Sequence, residues 1–485
     1  MNNNILVKYW DKWEGKLHCS HSNMIFSACT LRDFTRSTMN EFSNVGIREC
    51  DNVALVLLNT AAFPVCLMGL LQLGANPLLL SPDTTHHEIE KLRINVNISW
   101  IIKDNDFTVF DKEIISVRNY AIKYGTGSLN IYRLVSEKRY NTEMGVILHQ
   151  TSGTYGNPLV CIRNQDVAVS EAINYASSIC LLDKVKIRVT TPLYHAFAYG
   201  FGLISSIITN STIKIASSFN PKKILDEETI DKSDILCIVP PMLYSLIHLK
   251  ESNNLFILPE TVFYAGTICR DSLKEEFEHA FNNKLYAILG STETGGISCN
   301  YGNTEKGNGL GKPLKNVSVL IKNAEKYKDL GDNIGELYVK STSMMQRYYH
   351  TIQNTAEWLC TGDIARVDEK QNLHIVGRMR DILNIGGVKV DPVEVETVLT
   401  SYSGISDAVV YMGHSRDGNE IVVAALTSNS NDITEKDIIN YCNKKLSKIK
   451  VPNKIFILDK LPRTNSGKYL KAELPMYYNQ ALNIH

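Results

Sequence analysis

The sequence has no surplus of charge of either sign. Lysine plus arginine and aspartate plus glutamate each number 51 in 485 residues. A chain so balanced offers no electrostatic case for nucleic acid or an anionic membrane as its main partner. It has no CxxC pair either. Its eleven cysteines are scattered without regular spacing, which fits reduced thiols in a cytoplasmic protein rather than a disulfide framework. Met1-Asn2-Asn3-Asn4 lacks the basic-then-apolar pattern of a secretory signal. No internal repeat and no low-complexity tract is present. Charge is also missing altogether from Val53 to Pro82, a stretch long enough to suggest a membrane span. Its own punctuation argues otherwise. Val53–Leu58 fits a short buried strand, Asn59 and Thr60 can cap a helix from about Ala61, and Gly74 can end it before a second strand, Pro77–Leu80. Strand, helix, strand at this spacing is a βαβ unit, so no membrane span is expected.

What is present is a long alternation of strands and helices. At roughly 100–200 residues per domain the length suggests about two to four units. Residues 1–145 alternate in a way that implies a sheet covered by helices, continued by Trp100–Lys103 and Gly145–His149. Helical spacing follows over Asp166–Leu182. Further strands are expected at Ile235–Val239, Thr261–Tyr264, Leu285–Leu289, Val317–Ile321 and Gly335–Val339. Composition shifts after Gly377. The strands Ala408–Met412 and Ile421–Leu426 and the amphipathic helix Asp432–Leu446 then suggest a separate α+β domain.

Four segments carry chemistry. Thr151-Ser152-Gly153-Thr154-Tyr155-Gly156-Asn157-Pro158 follows an apolar strand, where ligands of such sheets bind. Its glycines expose amides and its hydroxyls add donors, which suits phosphate, although no Gly-Lys-Ser/Thr of a Walker loop follows. A plain loop is the alternative. Gly290-Ser291-Thr292-Glu293-Thr294-Gly295-Gly296 sets a carboxylate among hydroxyls and glycines, as a magnesium–phosphate site needs, or is a capped turn. Thr361-Gly362-Asp363 with Gly377-Arg378-Met379-Arg380-Asp381 offers an acid for ribose hydroxyls, or a hairpin. Leu461 to Lys468, reading LPRTNSGK, places a lysine on a glycine-containing loop.

In this order the four segments resemble the adenylate-forming superfamily of acyl- and aryl-CoA synthetases, nonribosomal peptide adenylation domains and luciferases. TSGTYGNPL, Pro192-Leu193-Tyr194-His195, GSTETGG, GLGKPL at Gly309–Leu314, GELYV, TGD, GRMRDILNIGG and PRTNSGK all match it, from about Phe26 to Lys471. The resemblance is closest to stand-alone acid–CoA ligases. It implies an α/β protein with a large N-terminal domain of layered sheets and helices, residues 1–379, and a small, mobile C-terminal α+β lid domain, residues 380–485. It implies ATP-dependent conversion of a small carboxylic acid to acyl-AMP, then transfer to a thiol. Thr151, Ser152, Gly153, Thr154 and Gly156 would cradle the β- and γ-phosphates, with Ser291 beside them. Thr292 would meet the α-phosphate and Glu293 would bind Mg²⁺. Ala265-Gly266-Thr267 would flank adenine. Asp363 would take the ribose hydroxyls, with Arg378 in support, and Lys468 would bridge carboxylate and α-phosphate. Tyr194, His195, Phe197 and Tyr199 would begin the acid pocket. Gly386 and Gly387 would let a pantetheine arm pass after a rotation about Arg380.

The thiol is coenzyme A or the phosphopantetheine of an acyl or peptidyl carrier protein. The chain ends soon after Lys468, so either acceptor is expected in trans. No aspartate stands in Thr191–Leu203 to pair with a substrate ammonium, which favours a fatty or aromatic acid over an α-amino acid. Three positions depart from the pattern. Leu159 replaces a lysine, for which Arg163 is a candidate substitute, Leu289 replaces an aromatic residue, and Arg347 replaces a glycine. An inactive homologue that binds nucleotide as a scaffold is the alternative of another class. The joint presence of Glu293, Asp363, Arg378 and Lys468 argues against it.

Overall fold

A computed structural model describes residues 4–104, 114–121, 128–134, 143–151, 159–179, 181, 185–216, 220–221, 224, 234–252, 258–267, 269, 271–302, 309–351, 355–379, 381–385, 388–415, 420–429, 433–463, 469–474 and 476. The protein is α/β and forms two compact units, a large one and a small one.

The larger unit carries two sheets. In the eight-stranded sheet the order is Arg347–Tyr348, Val160–Arg163, Ile147–Gln150, Asn76–Leu80, Asn52–Val56, Ile98–Asp104, Ser128–Leu134, Ile114–Ala121. The charge-free stretch lies at its centre. Asn52–Val56 and Asn76–Leu80 are buried throughout and pair in parallel with Val53 opposite Pro77. The helix Ala62–Leu73 joins them and ends where Gly74 turns left-handed at φ 78°. A strand covered on both faces has no reason to alternate polar with apolar residues, which accounts for the missing charge. Among the described residues no helix is long and apolar enough to cross a membrane.

Neither expected residue is the N-cap of this helix, which is Ala61, though Thr60 Oγ1 accepts from the Ala62 N–H at 3.3 Å. Asn59 reaches across to the other sheet instead. Its Nδ2 donates to the Thr191 carbonyl at 2.9 Å and its Oδ1 accepts from the Leu193 N–H at 2.8 Å. Those two hydrogen bonds hold the start of the Pro192–His195 segment.

The nine-stranded sheet runs Lys312–Pro313, Gly295–Cys299, Lys284–Ser291, Thr261–Tyr264, Ile235–Ile238, Lys186–Val189, Thr212–Ile215, Lys16–Cys19, Met24–Ser27. The last two come from the N-terminal region yet join this sheet, with Leu17 parallel to Ile213. The helix Gln165–Ser178, capped by the Asn164 side chain on the Val167 N–H at 2.9 Å, packs against Ala198–Ile204. Ala198–Ile204 is a π-helix, a wide turn found often at functional sites.

The smaller unit takes Val319–Val339 and the residues from Cys360 onward. One sheet orders Val317–Lys322, Gly335–Ser341, Leu359–Val367 and Leu373–Arg378. Another orders Ile405–His414, Glu420–Ser428 and Lys454–Ile457, with the helices Pro392–Thr400 and Glu435–Cys442 packed about a core that includes Val395, Val410 and Ile438. Packing thus gathers residues from both sides of position 379. Tyr327, Ile334 and Ile364 form a buried cluster against which Met379 and Ile382 lie.

Candidate active site

The turn that follows Lys284–Ser291 is built by its hydroxyls. Ser291 Oγ and Thr294 Oγ1 lie 3.1 Å apart, and Ser291 Oγ accepts from the Thr294 N–H at 3.2 Å. Thr294 is buried, so its bonds are shielded from water, while Thr292 and Glu293 at the crest stay half-buried. Gly290 and Gly296 pair across the hairpin, and a Cβ on Gly290 would sit 2.7 Å from the Gly295 carbonyl. The turn is therefore too tight there for any side chain.

Glu293 is held in place from the strand Arg347–Tyr348. The Tyr348 hydroxyl donates to Glu293 Oε1 at 3.1 Å, and the Met345 N–H donates to the Glu293 carbonyl at 2.7 Å. Tyr348, which supports Glu293, entered the motif reading only as the neighbour of Arg347. Among the described residues no group of three or more His, Cys, Asp or Glu could hold a metal ion alone. One pinned carboxylate with hydroxyls beside it suits magnesium, which takes few protein oxygens and completes its shell with phosphate and water.

Thr151 stands at the end of Ile147–Gln150. Its N–H donates to the Leu159 carbonyl at 2.8 Å, and its Oγ1 accepts from the Leu159 N–H at 3.2 Å. Ser152, Gly153, Thr154 and Gly156 lie outside the described residues, as do Arg380, Gly386, Gly387 and Lys468. Ala265-Gly266-Thr267 follows the strand Thr261–Tyr264. Ala265 is buried, and Gly266 is exposed at φ +92°, a conformation that suits glycine.

The acid segment lines one side of the same unit. Tyr194 is partly buried, which pushes its phenol up, His195 is exposed, and Phe197 is partly accessible with its ring stacked on Phe201 at 5.5 Å. Tyr199 is fully buried and lies edge-on to His149, with ring centroids 4.8 Å apart. Burial first, then the charges of Arg163 and His195, hold His149 well below the usual histidine range, so it is neutral.

In the smaller unit the third segment is a hairpin, and the hairpin register sets Arg378 opposite Asp363. Arg378 Nε lies 2.7 Å from Asp363 Oδ1, with the carboxylate buried and the guanidinium exposed. Gly362, at φ 78°, turns the strand so that the Met379 N–H reaches its carbonyl at 2.8 Å.

A family model described as AMP-binding enzyme matches residues 35–349, and one described as AMP-binding enzyme C-terminal domain matches residues 394–468. The chain belongs to the AMP-binding enzyme family. It is 25% identical to 4-coumarate–CoA ligase 3 of Arabidopsis thaliana, over 89% of this chain and 82% of that protein. It is 26% identical to 2-succinylbenzoate–CoA ligase of a Geobacillus species, over 92% of this chain and 91% of that one. In fold it is similar to ATP-bound MatB from Rhodopseudomonas palustris, with TM-score 0.83, 18% identity and coverage of 99% and 100%. It is likewise similar to the MenE o-succinylbenzoate CoA synthetase of Bacillus subtilis holding its acyl-adenylate, with TM-score 0.80, 22% identity and coverage of 97% of each chain. As an AMP-binding enzyme the chain is an acid–thiol ligase that activates its acid with ATP.

Two departures from the family pattern can now be placed. Leu159 is exposed, so the missing lysine leaves an apolar side chain facing solvent. Arg163 does not stand in for it. Strand alternation puts Val160 and Ile162 into one apolar cluster and turns Cys161 and Arg163 the other way. There Arg163 is buried and its Nη2 donates to Glu171 Oε2 at 2.7 Å. Arg347 is fixed too, on Glu143 at 2.6 Å and the Thr351 carbonyl at 2.7 Å. The Arg163–Glu171 pair escaped the motif reading. Its trace in the sequence is an arginine in a strand otherwise apolar.

Proposed function

We propose that the chain joins a fatty or aromatic carboxylic acid without an α-amino group to coenzyme A through an acyl-adenylate. The acid's carboxylate attacks the α-phosphorus of ATP, the new C–O–P linkage forms, and pyrophosphate leaves. The observation that carries this reading is the pinned turn, in which Glu293 is set by Tyr348 and Met345 beside Thr292. A carboxylate held this way pays no reorganisation when charge builds on the phosphoryl oxygens. Magnesium bound there would neutralise phosphate charge. Thr151 with Ser152, Gly153, Thr154, Gly156 and Ser291 would seat the outer phosphates, and Ala265, Gly266 and Thr267 the base. Asp363 would accept from the ribose hydroxyls while Arg378 moves to phosphate or solvent. Lys468 would bridge the two reacting anions, and a hinge at Arg380 would then exchange it for Gly386 and Gly387, admitting the pantetheine thiol.

Tyr194, His195, Phe197 and Tyr199 would begin an aromatic pocket for the acid, and no aspartate stands in Thr191–Leu203 to pair with an ammonium. Glu171, near it, is already paired with Arg163. Coenzyme A is the acceptor supported by the curated relatives, which are CoA ligases over most of this chain. Among the described residues ten cysteines are in no disulfide, which supports a reducing compartment, the cytoplasm.

Pyrophosphate release with a panel of acids tests this. Some fatty or aromatic acid should turn over and α-amino acids should not. Lys468→Ala should abolish adenylation yet leave thiolation of supplied acyl-AMP largely intact. Equal loss of both steps would sink the alternating use of the small unit.

A further inference from the structure

Behind the acid segment lies a polar cluster in the interior. Arg163 and Glu171 are paired at 2.7 Å with side chains 1% and 2% exposed. Burial opposes the arginine charge, but its interaction with Glu171 outweighs it, so the guanidinium stays charged. Tyr175 lies against the same carboxylate, and burial keeps its phenol protonated.

The cluster is not closed. Arg163 spends Nη2 on Glu171 and on the Ser343 carbonyl at 3.3 Å. Among the described residues its Nε and Nη1 have no hydrogen-bond partner, nor has the Tyr199 hydroxyl or either ring nitrogen of His149, though all are buried. Native interiors rarely leave polar atoms in this state, and here they belong to three neighbouring side chains. Tyr199 faces the charges of Arg163 and Glu171, and His149 faces those of Arg163 and His195.

The backbone is shaped around the cluster. A Cβ on Gly200, in the acid segment, would sit 2.7 Å from the Glu171 carboxylate. One on Gly295, in the Glu293 turn, would sit 3.1 Å from it. The acid segment and the phosphate turn thus both press glycine onto one buried ion pair.

We infer that Arg163, Tyr199 and His149 form a specificity subsite for the far end of the acid, and that this end carries a neutral oxygen function, a hydroxyl or carbonyl. The inference rests on the acid-activating reading above. The charge balance selects the class. Arg163 is offset by Glu171, and His149 and Tyr199 are neutral, so a second carboxylate would enter without a counter-charge. The open atoms are mainly donors, and a hydroxyl or carbonyl oxygen accepts from them.

The test is kcat/KM for pyrophosphate release with matched acids. Suitable sets are hexanoate, 5-oxohexanoate and adipate, and 3-phenylpropanoate with its 4-hydroxyphenyl analogue, extended over chain length. The oxygenated member should win by about 100-fold in the set that fits, since a polar site rejects a partner that leaves it unpaired. Adipate should be the poorer of the two oxygenated acids. Arg163→Met/Glu171→Gln removes both charges together and should bring the ratio to within a few-fold of one. Should that variant fail to fold, Tyr199→Phe, which loses only the hydroxyl, should lower the ratio by about 10-fold, chiefly through KM. Turnover of the apolar member as fast as its twin in every set would reduce the cluster to an internal hydrogen-bond network and overturn the subsite alone. A ratio unmoved by either variant would do the same. No turnover of any acid would remove the acid-activating reading and the subsite with it.

Discussion

Two arginine–carboxylate pairs in this chain have the same length and opposite settings. Arg163–Glu171 and Arg378–Asp363 both measure 2.7 Å, but the first arginine side chain is 1% exposed and the second 57%. In the interior each charge depends on the other, because neither has water to fall back on. In the small unit only the carboxylate is buried, so the arginine can return to water while the carboxylate stays inside. One pair is a fixture. The other is anchored on one side only, its arginine facing water.

Breaking the buried pair should give the largest effect. Glu171→Ala leaves an uncompensated guanidinium and should cost about 3–5 kcal/mol in urea unfolding of the whole chain, much of it regained on adding Arg163→Met. Loss of under about 1 kcal/mol would show that water already reaches the pair. Breaking the exposed pair should act on function instead. Asp363→Ala should leave the unfolding midpoint nearly unchanged and lower kcat/KM for ATP by about 10- to 100-fold, the worth of one or two charge-assisted hydrogen bonds. An unchanged kcat/KM for ATP would take Asp363 out of the nucleotide site.

A third carboxylate sharpens the contrast by having no arginine. Asp391 caps the helix Pro392–Thr400 through the Val393 N–H at 2.9 Å, and burial raises its pKa to about 6 from 3.8. The folded pKa lies above the unfolded one, so the folded chain holds the extra proton. Its contribution is full below about pH 4 and is lost as pH rises through about 6. Between about pH 5 and about pH 7 the loss is roughly 1 kcal/mol. Hydrogen exchange of that helix in the full chain should show it, and Asp391→Asn, which still caps, should flatten the dependence. An equal slope in the variant would assign it to other groups.

Legibility followed the range of the interaction. Val53–Leu58, Gly74 and Pro77–Leu80 announced a strand, a stop and a strand through local rules, and each lies where those rules put it. The turn around Glu293 was equally local. Asn59 was misassigned because the groups that claim it, at Thr191 and Leu193, are more than 130 residues away. Lys16–Cys19 and Met24–Ser27 joined the farther sheet for the same reason, since partner choice among strands is not written in the strand. Tyr348 and the Arg163–Glu171 pair were missed because a motif marks what touches the shared ligand, not what supports it from another strand.

The contact of Gly200 with Glu171 also bears on how such a chain can diversify. With 2.7 Å between a new methyl and a buried carboxylate, position 200 cannot grow until position 171 shrinks. Shrinking 171 alone strands Arg163. The three positions are therefore physically coupled, and single substitutions along the route to an apolar pocket pass through a less stable intermediate. A lineage that changes its acid must cross that valley, or be carried over it by a designer who alters all three at once.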